Sequence, residues 1–200
     1  MKNRVITISR EFGSGGRTIG KRVAAELALP CYDNELLQKI AAESGFQESY
    51  IKETGEDAPG GFLSNAFSHR GFSPNNADYL WQIQYRIISE LAEKGPCVIV
   101  GRCADYALAD EPHCLNIFIR SNMDDRIKRI SERLNVTENK AKDIIKKKDK
   151  ERSSYYNYYT SKKWGDARSY DLCLNTSQIS VEDSIELILK YRECMRSHNK

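Results

Sequence analysis

The 200-residue sequence has few of the features that mark zinc-binding, secreted or membrane-spanning proteins. Its three histidines and six cysteines form no C-x-x-C pair, so the ligand spacing of a structural zinc site is absent. No apolar run reaches the length of a membrane span and no signal-peptide pattern opens the chain, so we expect a cytoplasmic protein without membrane contact. We interpret Cys97, Cys103 and Cys173, which lie in or beside apolar runs, as small buried side chains.

The chain also has little excess of positive over negative charge. The formal net charge is only +3, which does not by itself favour nucleic acid as a partner. Hydrophobic residues make up 40% of the chain, as in ordinary globular proteins, and a chain of this length buries roughly 70% of its unfolded surface. The sequence therefore predicts a single domain over residues 1–200.

Short apolar segments alternate with helical patterns along the chain. Strands are predicted at Val5–Ser9, Pro30–Tyr32, Cys97–Val100, Leu115–Ile119 and Leu172–Leu174. Helices are predicted at Thr18–Leu29, Asn34–Glu43, Tyr79–Lys94, Asp124–Leu134, Thr137–Tyr159 and Val181–Tyr191, with Asn34 and Thr137 as N-caps. Residues 55–76 lack periodicity and are predicted to form a long mobile loop. This alternation predicts an α/β fold with a doubly wound parallel sheet flanked by helices.

A glycine cluster joins the first predicted strand to the first helix. Its backbone N–H groups and the helix N-terminus suit a chain of phosphates, and we assign that role to Gly13, Ser14, Gly15, Gly16, Arg17 and Thr18. Against the pattern G-x-x-x-x-G-K-[ST], Glu11 replaces the first glycine and Arg17 replaces the lysine. A second alignment on Gly20 and Lys21 matches more positions but lacks the hydroxyl and does not follow the strand directly. A tight turn without a ligand is the alternative.

Three further segments resemble the cytidylate kinase family. Tyr32-Asp33-Asn34, with Lys39 five residues later, is similar to the family's Asp, Ser and Arg after its second strand. Val98-Ile99-Val100-Gly101-Arg102 is similar to a family strand that ends in Gly-Arg. Asp149 and Arg152 match a family Asp and Arg three residues apart, whereas an arginine four residues before that Asp is replaced by Ile145. We interpret Arg126, Arg129 and Arg133 as mostly surface residues.

The resemblance extends from Ile6 to Tyr191 and is nearest to the cytidylate kinase-like branch. That branch has Ser-Arg-Glu-Phe-Gly-Ser-Gly-Gly at the loop and Trp164-Gly165-Asp166 before the last strand, which we interpret as a buried loop anchor. The resemblance implies a P-loop kinase fold with an acceptor-binding insertion at residues 34–95 and a helical lid near residues 137–165. It also implies transfer of the ATP γ-phosphoryl group to a nucleoside monophosphate such as CMP or dCMP, with Mg²⁺.

The resemblance assigns roles to particular residues. Catalytic groups are Arg17, Arg102 and Arg152; acceptor ligands are Asp33, Asn34, Lys39, Arg102, Asp149 and Arg152; and metal ligands are Thr18 and Asp33. Two other functions stay open, namely a P-loop kinase with a different small acceptor and a nucleotide-binding module that has lost catalysis because of Glu11 and Arg17. RNA binding by the lysine run at 146–150 and the tyrosines at 155–159 is a weaker alternative.

Overall fold

The computed structural model describes residues 5–48, 74–111 and 114–198. Five parallel strands form one sheet in the order β2-β3-β1-β4-β5, namely β1 (Val5–Arg10), β2 (Cys31–Tyr32), β3 (Cys97–Val100), β4 (Cys114–Arg120) and β5 (Leu172–Asn175). The helices are α1 (Gly16–Glu26), α2 (Asn34–Ser44), α3 (Pro74–Lys94), α4 (Ala104–Ala107), α5 (Met123–Leu134), α6 (Glu138–Thr160) and α7 (Val181–His198), with a 3₁₀ turn at Ala167–Ser169. The predicted α/β fold is confirmed.

Strand β1 lies at the centre of the sheet, and all six of its residues are buried. Because successive side chains of a strand point to opposite faces, Val5 joins an apolar cluster with α2 and α3. Ile6 and Ile8 join a second cluster with α1 and α7 on the other face. Burial on both faces holds the end of β1 between two helical layers, and it covers the polar Thr7 and Ser9 as well as the apolar residues.

Helices α5 and α6 pack against each other beyond the carboxyl edge of the sheet. Asn135 ends α5 in the left-handed conformation, and the Thr137 hydroxyl accepts a hydrogen bond of 3.4 Å from the backbone N–H of Lys140 at the start of α6. The predicted Thr137 N-cap is therefore confirmed. Ile130 and Ile145 are fully buried between the two helices, so α6 is fixed by an apolar contact of its own.

Several predicted boundaries differ from the structure. The N-cap of α2 is Asp33, and Asn34 is already the first helical residue, so the prediction of Asn34 as N-cap is wrong. Helix α3 begins at Pro74, since proline suits the first turn of a helix, and this includes the end of the segment predicted as a loop. The rest of that segment, residues 55–73, lies outside the described residues. Helix α4, directly after Arg102, was not predicted.

The cysteines divide between core and surface. Cys97 and Cys103 are buried as predicted, but Cys173 is exposed. That part of the prediction is wrong because β5 is an edge strand with β4 as its one neighbour in the sheet. Across the described ranges, no helix is both long and apolar enough to cross a membrane.

Candidate active site

A cavity of about 550 Å³ opens at the carboxyl end of β1. Ligands of parallel α/β sheets bind at this edge, because loops and helix N-termini converge there. The cavity is lined by the end of β1, the glycine loop (residues 11–15), the first turn of α1, the residue after β2, and parts of α5 and α6. The lining residues are Arg10, Glu11, Phe12, Gly13, Gly15, Gly16, Arg17, Thr18, Asp33, Arg129, Ile130, Arg133, Leu134 and Arg152. Five of these are arginines, so the cavity suits an anionic ligand.

The shape of the glycine loop requires glycine at particular positions. Gly13 and Gly15 have φ angles of 83° and 84°, which side chains rarely adopt. Gly16 is constrained differently, because a Cβ atom there would lie 2.6 Å from the Cβ of Arg10. The loop thus turns tightly onto the N-terminus of α1, where the N–H groups of the first helical turn have no acceptor within the helix.

Side chains of α5 and α6 hold the glycine loop from outside. The Asp149 carboxylate accepts a hydrogen bond of 2.8 Å from the backbone N–H of Phe12 and also pairs with Arg126. The Arg126 guanidinium donates to the carbonyl of Phe12 at 3.3 Å, and that of Arg152 donates to the carbonyl of Arg10 at 3.2 Å. The loop conformation is therefore built by tertiary contacts as well as by its own glycines.

The other side of the loop is held by the end of the sheet. The Thr176 hydroxyl, just past β5, donates to the carbonyl of Ser14 at 2.8 Å. The Arg129 guanidinium donates to the carbonyl of Gly13 at 3.2 Å and to the carbonyl of Thr176 at 3.0 Å. These bonds hold the loop through its carbonyl groups. A loop whose N–H dipoles are already fixed needs little reorganisation when it binds an anion.

Glu11, the acidic residue of the loop, is paired by groups behind the loop. Its carboxylate accepts a hydrogen bond of 2.9 Å from the backbone N–H of Ser121 and lies 3.7 Å from the Arg126 guanidinium. Burial raises the pKa of Glu11, and the bond from Ser121 and the charge of Arg126 oppose that rise. Glu11 thus pairs with Arg126 and connects the loop to the end of β4.

The interpretation of the α5 arginines as mostly surface residues is wrong for Arg126 and Arg129, whereas Arg133 is exposed as expected. Arg126 is only 5% exposed, Arg129 bonds to the loop, and Arg133 lines the cavity. These residues are spaced at i, i+3 and i+7, which places them on the helix face that also carries the fully buried Ile130. That spacing is the sequence signal that identifies them, because a guanidinium on the apolar face of a helix must meet an acceptor.

Phe12 brings two cavity arginines together. The guanidinium carbons of Arg133 and Arg152 lie 5.1 Å and 5.4 Å from the centroid of its ring. A cation over an aromatic face is attracted to the ring, so Phe12 favours both side chains at the cavity wall. Because Phe12 belongs to the glycine loop, the loop positions guanidinium groups as well as its own amides.

Arg17 and Asp33 form an ion pair across the cavity. Arg17 stands where the phosphate-loop pattern has lysine, and half of its side chain is exposed. Thr18, one residue further along α1, lines the same cavity. Three of the residues predicted from the sequence are therefore brought together here, with oxygen atoms of the kind that magnesium prefers.

A much smaller cavity of about 10 Å³, roughly the space of one water molecule, adjoins the first and is lined by Arg102. This arginine is 4% exposed, and its φ angle of 61° and that of Cys103 at 53° form a left-handed turn directly after β3. Gln84 of α3 donates to the Arg102 carbonyl at 2.9 Å and holds that turn. Arg10 and Arg152 line both cavities, so Arg152 of α6 lies at their junction beside the end of β1.

The remaining predicted acceptor residues lie differently. The side chain of Asn34 is outside what the structure describes. Lys39 is exposed and lines a separate cavity between α2 and α3, beside Ile87 and Leu91, so the fold does not bring it to the arginine-lined cavities. Asp149 reaches the first cavity from behind, through its bond to Phe12. The assignment of Lys39 and Asn34 to an acceptor stays a prediction.

Trp164 closes one side of the smaller cavity. Its ring packs edge-on against Phe118 at 5.4 Å, and its backbone N–H donates to the Asn157 side chain at 2.8 Å. Gly165 follows with a φ angle of 75°, and a Cβ atom there would lie 3.1 Å from the Phe118 ring. Asp166 then caps the 3₁₀ turn. These contacts agree with the interpretation of Trp164-Gly165-Asp166 as a loop anchor, but the expectation that the anchor is buried is wrong, because Gly165 is exposed and its two neighbours are half-buried.

One buried acidic group was missed by the sequence predictions. Asp105 of α4 is 5% exposed, and it accepts a hydrogen bond of 2.7 Å from the Tyr156 hydroxyl. Ser9, the last residue but one of β1, donates to the same carboxylate at 3.4 Å. The only signal in the sequence is an acidic residue in an otherwise apolar segment. Within the described residues, no three His, Cys, Asp or Glu side chains cluster as a metal site.

The sheet order, the glycine loop after β1 and the helix that follows it are the fold of P-loop kinases. A shikimate kinase from Bacteroides thetaiotaomicron has this fold with a TM-score of 0.55 and 14% identity, over 94% of this chain and 98% of that one. An uncharacterized protein from Eubacterium ventriosum is more similar, with a TM-score of 0.73 and 32% identity over 94% and 98% of the two chains.

The chain belongs to the cytidylate kinase-like family, whose sequence model matches residues 5–178. A cytidylate kinase from Methanopyrus kandleri is 25% identical over 193 residues, which cover 92% of this chain and 90% of the relative. A cytidylate kinase from Pyrobaculum islandicum is also 25% identical, over 94% and 91% of the two chains. Family and fold together support a nucleotide kinase, that is, a phosphotransferase with nucleotide substrates.

Proposed function

We propose that this protein transfers the γ-phosphoryl group of ATP to a nucleoside monophosphate, with CMP or dCMP as the preferred acceptor. The observation that carries the proposal is the position of Arg152 between two adjoining cavities, one formed by the glycine loop and one containing Arg102. Phosphoryl transfer requires a donor and an acceptor phosphate in line, with charge spread over the group that moves. A guanidinium between the two phosphates neutralises that charge.

The donor phosphates are assigned to the larger cavity. The backbone amides of residues 13–18 cradle them at the N-terminus of α1, where the helix dipole favours anions. Arg17 neutralises the terminal phosphate oxygens in place of the usual lysine. To reach them, its guanidinium breaks the ion pair with Asp33. Arg129 and Thr176 keep the loop in the binding conformation from behind.

Mg²⁺ fits the oxygen donors beside Arg17. Thr18 offers a hydroxyl and Asp33 a carboxylate, and magnesium is usually held by one or two such protein groups together with phosphate oxygens and water. A bound Mg²⁺ supplies charge neutralisation at the phosphates. When Arg17 turns to the phosphates, the Asp33 carboxylate becomes available as a ligand.

The acceptor phosphate is assigned to the smaller cavity, which has room for about one water molecule and must widen to admit it. Arg102 is buried at the carboxyl end of β3, and the turn held by Gln84 aims it at this edge of the sheet. Arg152 completes the site, and Asp149 and Asn34 are proposed for the rest of the acceptor, whereas Lys39 lines a cavity apart from it. Cytidine as its nucleoside is supported by the family and by the cytidylate kinase relatives.

The test is ADP formation from ATP and Mg²⁺ with CMP, dCMP, UMP, AMP or GMP, each against a control without acceptor. We expect ADP chiefly with CMP or dCMP, and a loss of about a hundredfold or more in kcat for Arg102→Ala. Arg22→Ala is the matched control, because Arg22 is exposed and pairs with Glu182 away from both cavities. Activity with a different acceptor would refute the cytidylate assignment while retaining the phosphotransferase.

A second function is favoured by the ion pair between Arg17 and Asp33. If that pair persists with ATP bound, the protein binds nucleotide without turnover. Calorimetric ATP binding together with no ADP from any acceptor would support this binding module and refute the kinase proposal for the substrates tested.

A further inference from the structure

Asp105 and Tyr156 form a buried polar contact between two layers of the protein. The Tyr156 hydroxyl donates to one carboxylate oxygen at 2.7 Å, and Ser9 donates to the other at 3.4 Å. Asp105 is 5% exposed and Tyr156 is 3% exposed. Asp105 thereby joins the end of β1 and helix α4 to helix α6, although these elements are far apart in sequence.

A buried carboxylate needs a reason to be there. Burial raises the pKa of Asp105, against the hydrogen bonds from Tyr156 and Ser9, so the site disfavours its charge. Buried polar pairs are often no more stable than apolar residues of the same shape, and their best-attested role is to fix one geometry among several. Because the pair joins α6 to α4 and to the end of β1, it restrains rotation of α6 about its own axis.

Rotation of α6 matters because of what the same face carries. Asp149, Arg152 and Tyr156 are spaced at i, i+3 and i+7 and lie on one face of the helix. Asp149 holds the Phe12 amide, and Arg152 reaches the Arg10 carbonyl at the junction of the two cavities. Tyr156, one turn beyond Arg152, also lines the smaller cavity. Any rotation that breaks the Tyr156 contact also moves the Arg152 guanidinium.

We propose that the Asp105–Tyr156 hydrogen bond is a positioning device that holds Arg152 at the junction of the two phosphate cavities. Tyr156 lines the smaller cavity, but its hydroxyl is bound to Asp105, so in this assignment it acts on the phosphates through Arg152. The activity arm of the test rests on the proposed function, but the positioning of Arg152 does not. A phosphate-binding arm therefore tests the device independently of turnover.

The first experiment is a double-mutant cycle between Tyr156→Phe and Arg152→Ala. Tyr156→Phe keeps the ring and removes the hydroxyl, and we expect kcat to fall about tenfold to a hundredfold because a misplacement of about 1 Å has that effect. In the Arg152→Ala background the same change should have no further effect on kcat. Losses that multiply in the double variant would overturn the proposal.

The second arm measures inorganic tripolyphosphate by calorimetry with the same four proteins. We expect Tyr156→Phe to weaken binding about tenfold in the wild-type background and not at all when Arg152 is absent. If wild type makes no ADP, the proposed function fails and this arm still decides the positioning role. Equal tripolyphosphate affinity in wild type and Tyr156→Phe would overturn it.

Two controls separate positioning from folding. Tyr158→Phe removes a hydroxyl from an exposed position of the same helix and should change neither kcat nor tripolyphosphate affinity. Asp105→Asn keeps the shape and one acceptor oxygen for Tyr156, so it should retain more activity than Tyr156→Phe. Urea unfolding of each variant identifies any that fail to fold. An Asp105→Asn variant that folds but matches the loss of Tyr156→Phe would show that the hydroxyl contact is not what positions Arg152.

Discussion

Asp149 accepts a hydrogen bond of 2.8 Å from the backbone N–H of Phe12, which attaches helix α6 directly to the glycine loop. The same carboxylate pairs with Arg126, itself bound to the Phe12 carbonyl. A group predicted to hold an acceptor thus also shapes the donor side. The segment predicted as a lid carries contacts that build the loop, in addition to any contact it makes with substrate.

Replacing Asp149 should destabilise the protein. Asp149→Ala leaves the buried charge of Arg126 without this partner, and removing one member of a buried pair costs about 3–5 kcal/mol. Because Asp149 is partly exposed, we expect about 3 kcal/mol in urea unfolding. Asp143→Ala, at an exposed position of the same helix, should stay within about 0.5 kcal/mol of wild type. Equal stability of the two variants would show that the pair contributes little.

Gly16→Ala should abolish phosphate binding by reshaping the loop. The new Cβ atom would lie 2.6 Å from the Arg10 Cβ, so backbone or side chain must move, at about 1–3 kcal/mol of stability. Gly45→Ala is the comparison, since Gly45 has a φ angle of 74° but open space around it. We expect Gly45→Ala to lower stability without changing tripolyphosphate affinity. Intact binding in Gly16→Ala would contradict the close approach as the cause.

Arg17 should be required for turnover despite its ion pair with Asp33. Arg17→Ala removes a cation from the proposed donor site, and loss of one stabilising group of this kind lowers kcat about 10²- to 10³-fold. Arg17→Lys restores the residue of the phosphate-loop pattern and should keep most of kcat, as measured by ADP release. If both variants match wild type, another group neutralises the phosphates.

The stability of Asp105→Asn relative to wild type should depend on pH. Burial raises the pKa of Asp105 above its ordinary value of 3.8, so the folded state binds that proton more tightly than the unfolded state. The stabilisation of the folded state by this proton is then fully present below pH 3.8, and it is lost as pH rises through the raised pKa. We therefore expect the free energy of unfolding of Asp105→Asn to rise relative to that of wild type between acid and neutral pH.

Paired urea titrations of Asp105→Asn and wild type measure that difference. Only the difference is diagnostic, because other carboxylates titrate in both proteins. A constant difference across the range would mean that Asp105 titrates alike in the folded and unfolded chains. The Asp105 carboxylate is influenced by the hydroxyls of Tyr156 and Ser9 and by the charge of Lys162. Tyr170 in turn acts on Tyr156.

The core strands and the glycine loop were predictable because their signals are local. An apolar run such as Cys97–Val100 is a strand buried on both faces, and glycines between a strand and a helix identify a loop for anions. Thr137 was likewise predictable as an N-cap. Helix ends were less predictable, as at Asn34, because capping depends on which neighbouring residue the tertiary structure leaves non-helical.

The contacts around Glu11 were not predictable in the same way. Its carboxylate meets Ser121 and Arg126, more than a hundred residues away in sequence. Arg126 and Arg129 were misjudged because a charged helix face is usually solvated. Their spacing around Ile130 was the signal available, but only packing against the loop decides that Arg126 is buried.

The sequence by itself determined the α/β fold, the parallel sheet, the place of the glycine loop and the family resemblance, because hydrophobic period and glycine placement act over a few residues. Only the tertiary structure decided that α5 and α6 hold the loop from behind, that Arg152 stands between two cavities, and that Lys39 lies apart from them. Those outcomes depend on how helices rotate and pack across the sheet edge, and the energies that set this come from contacts between residues distant in the chain.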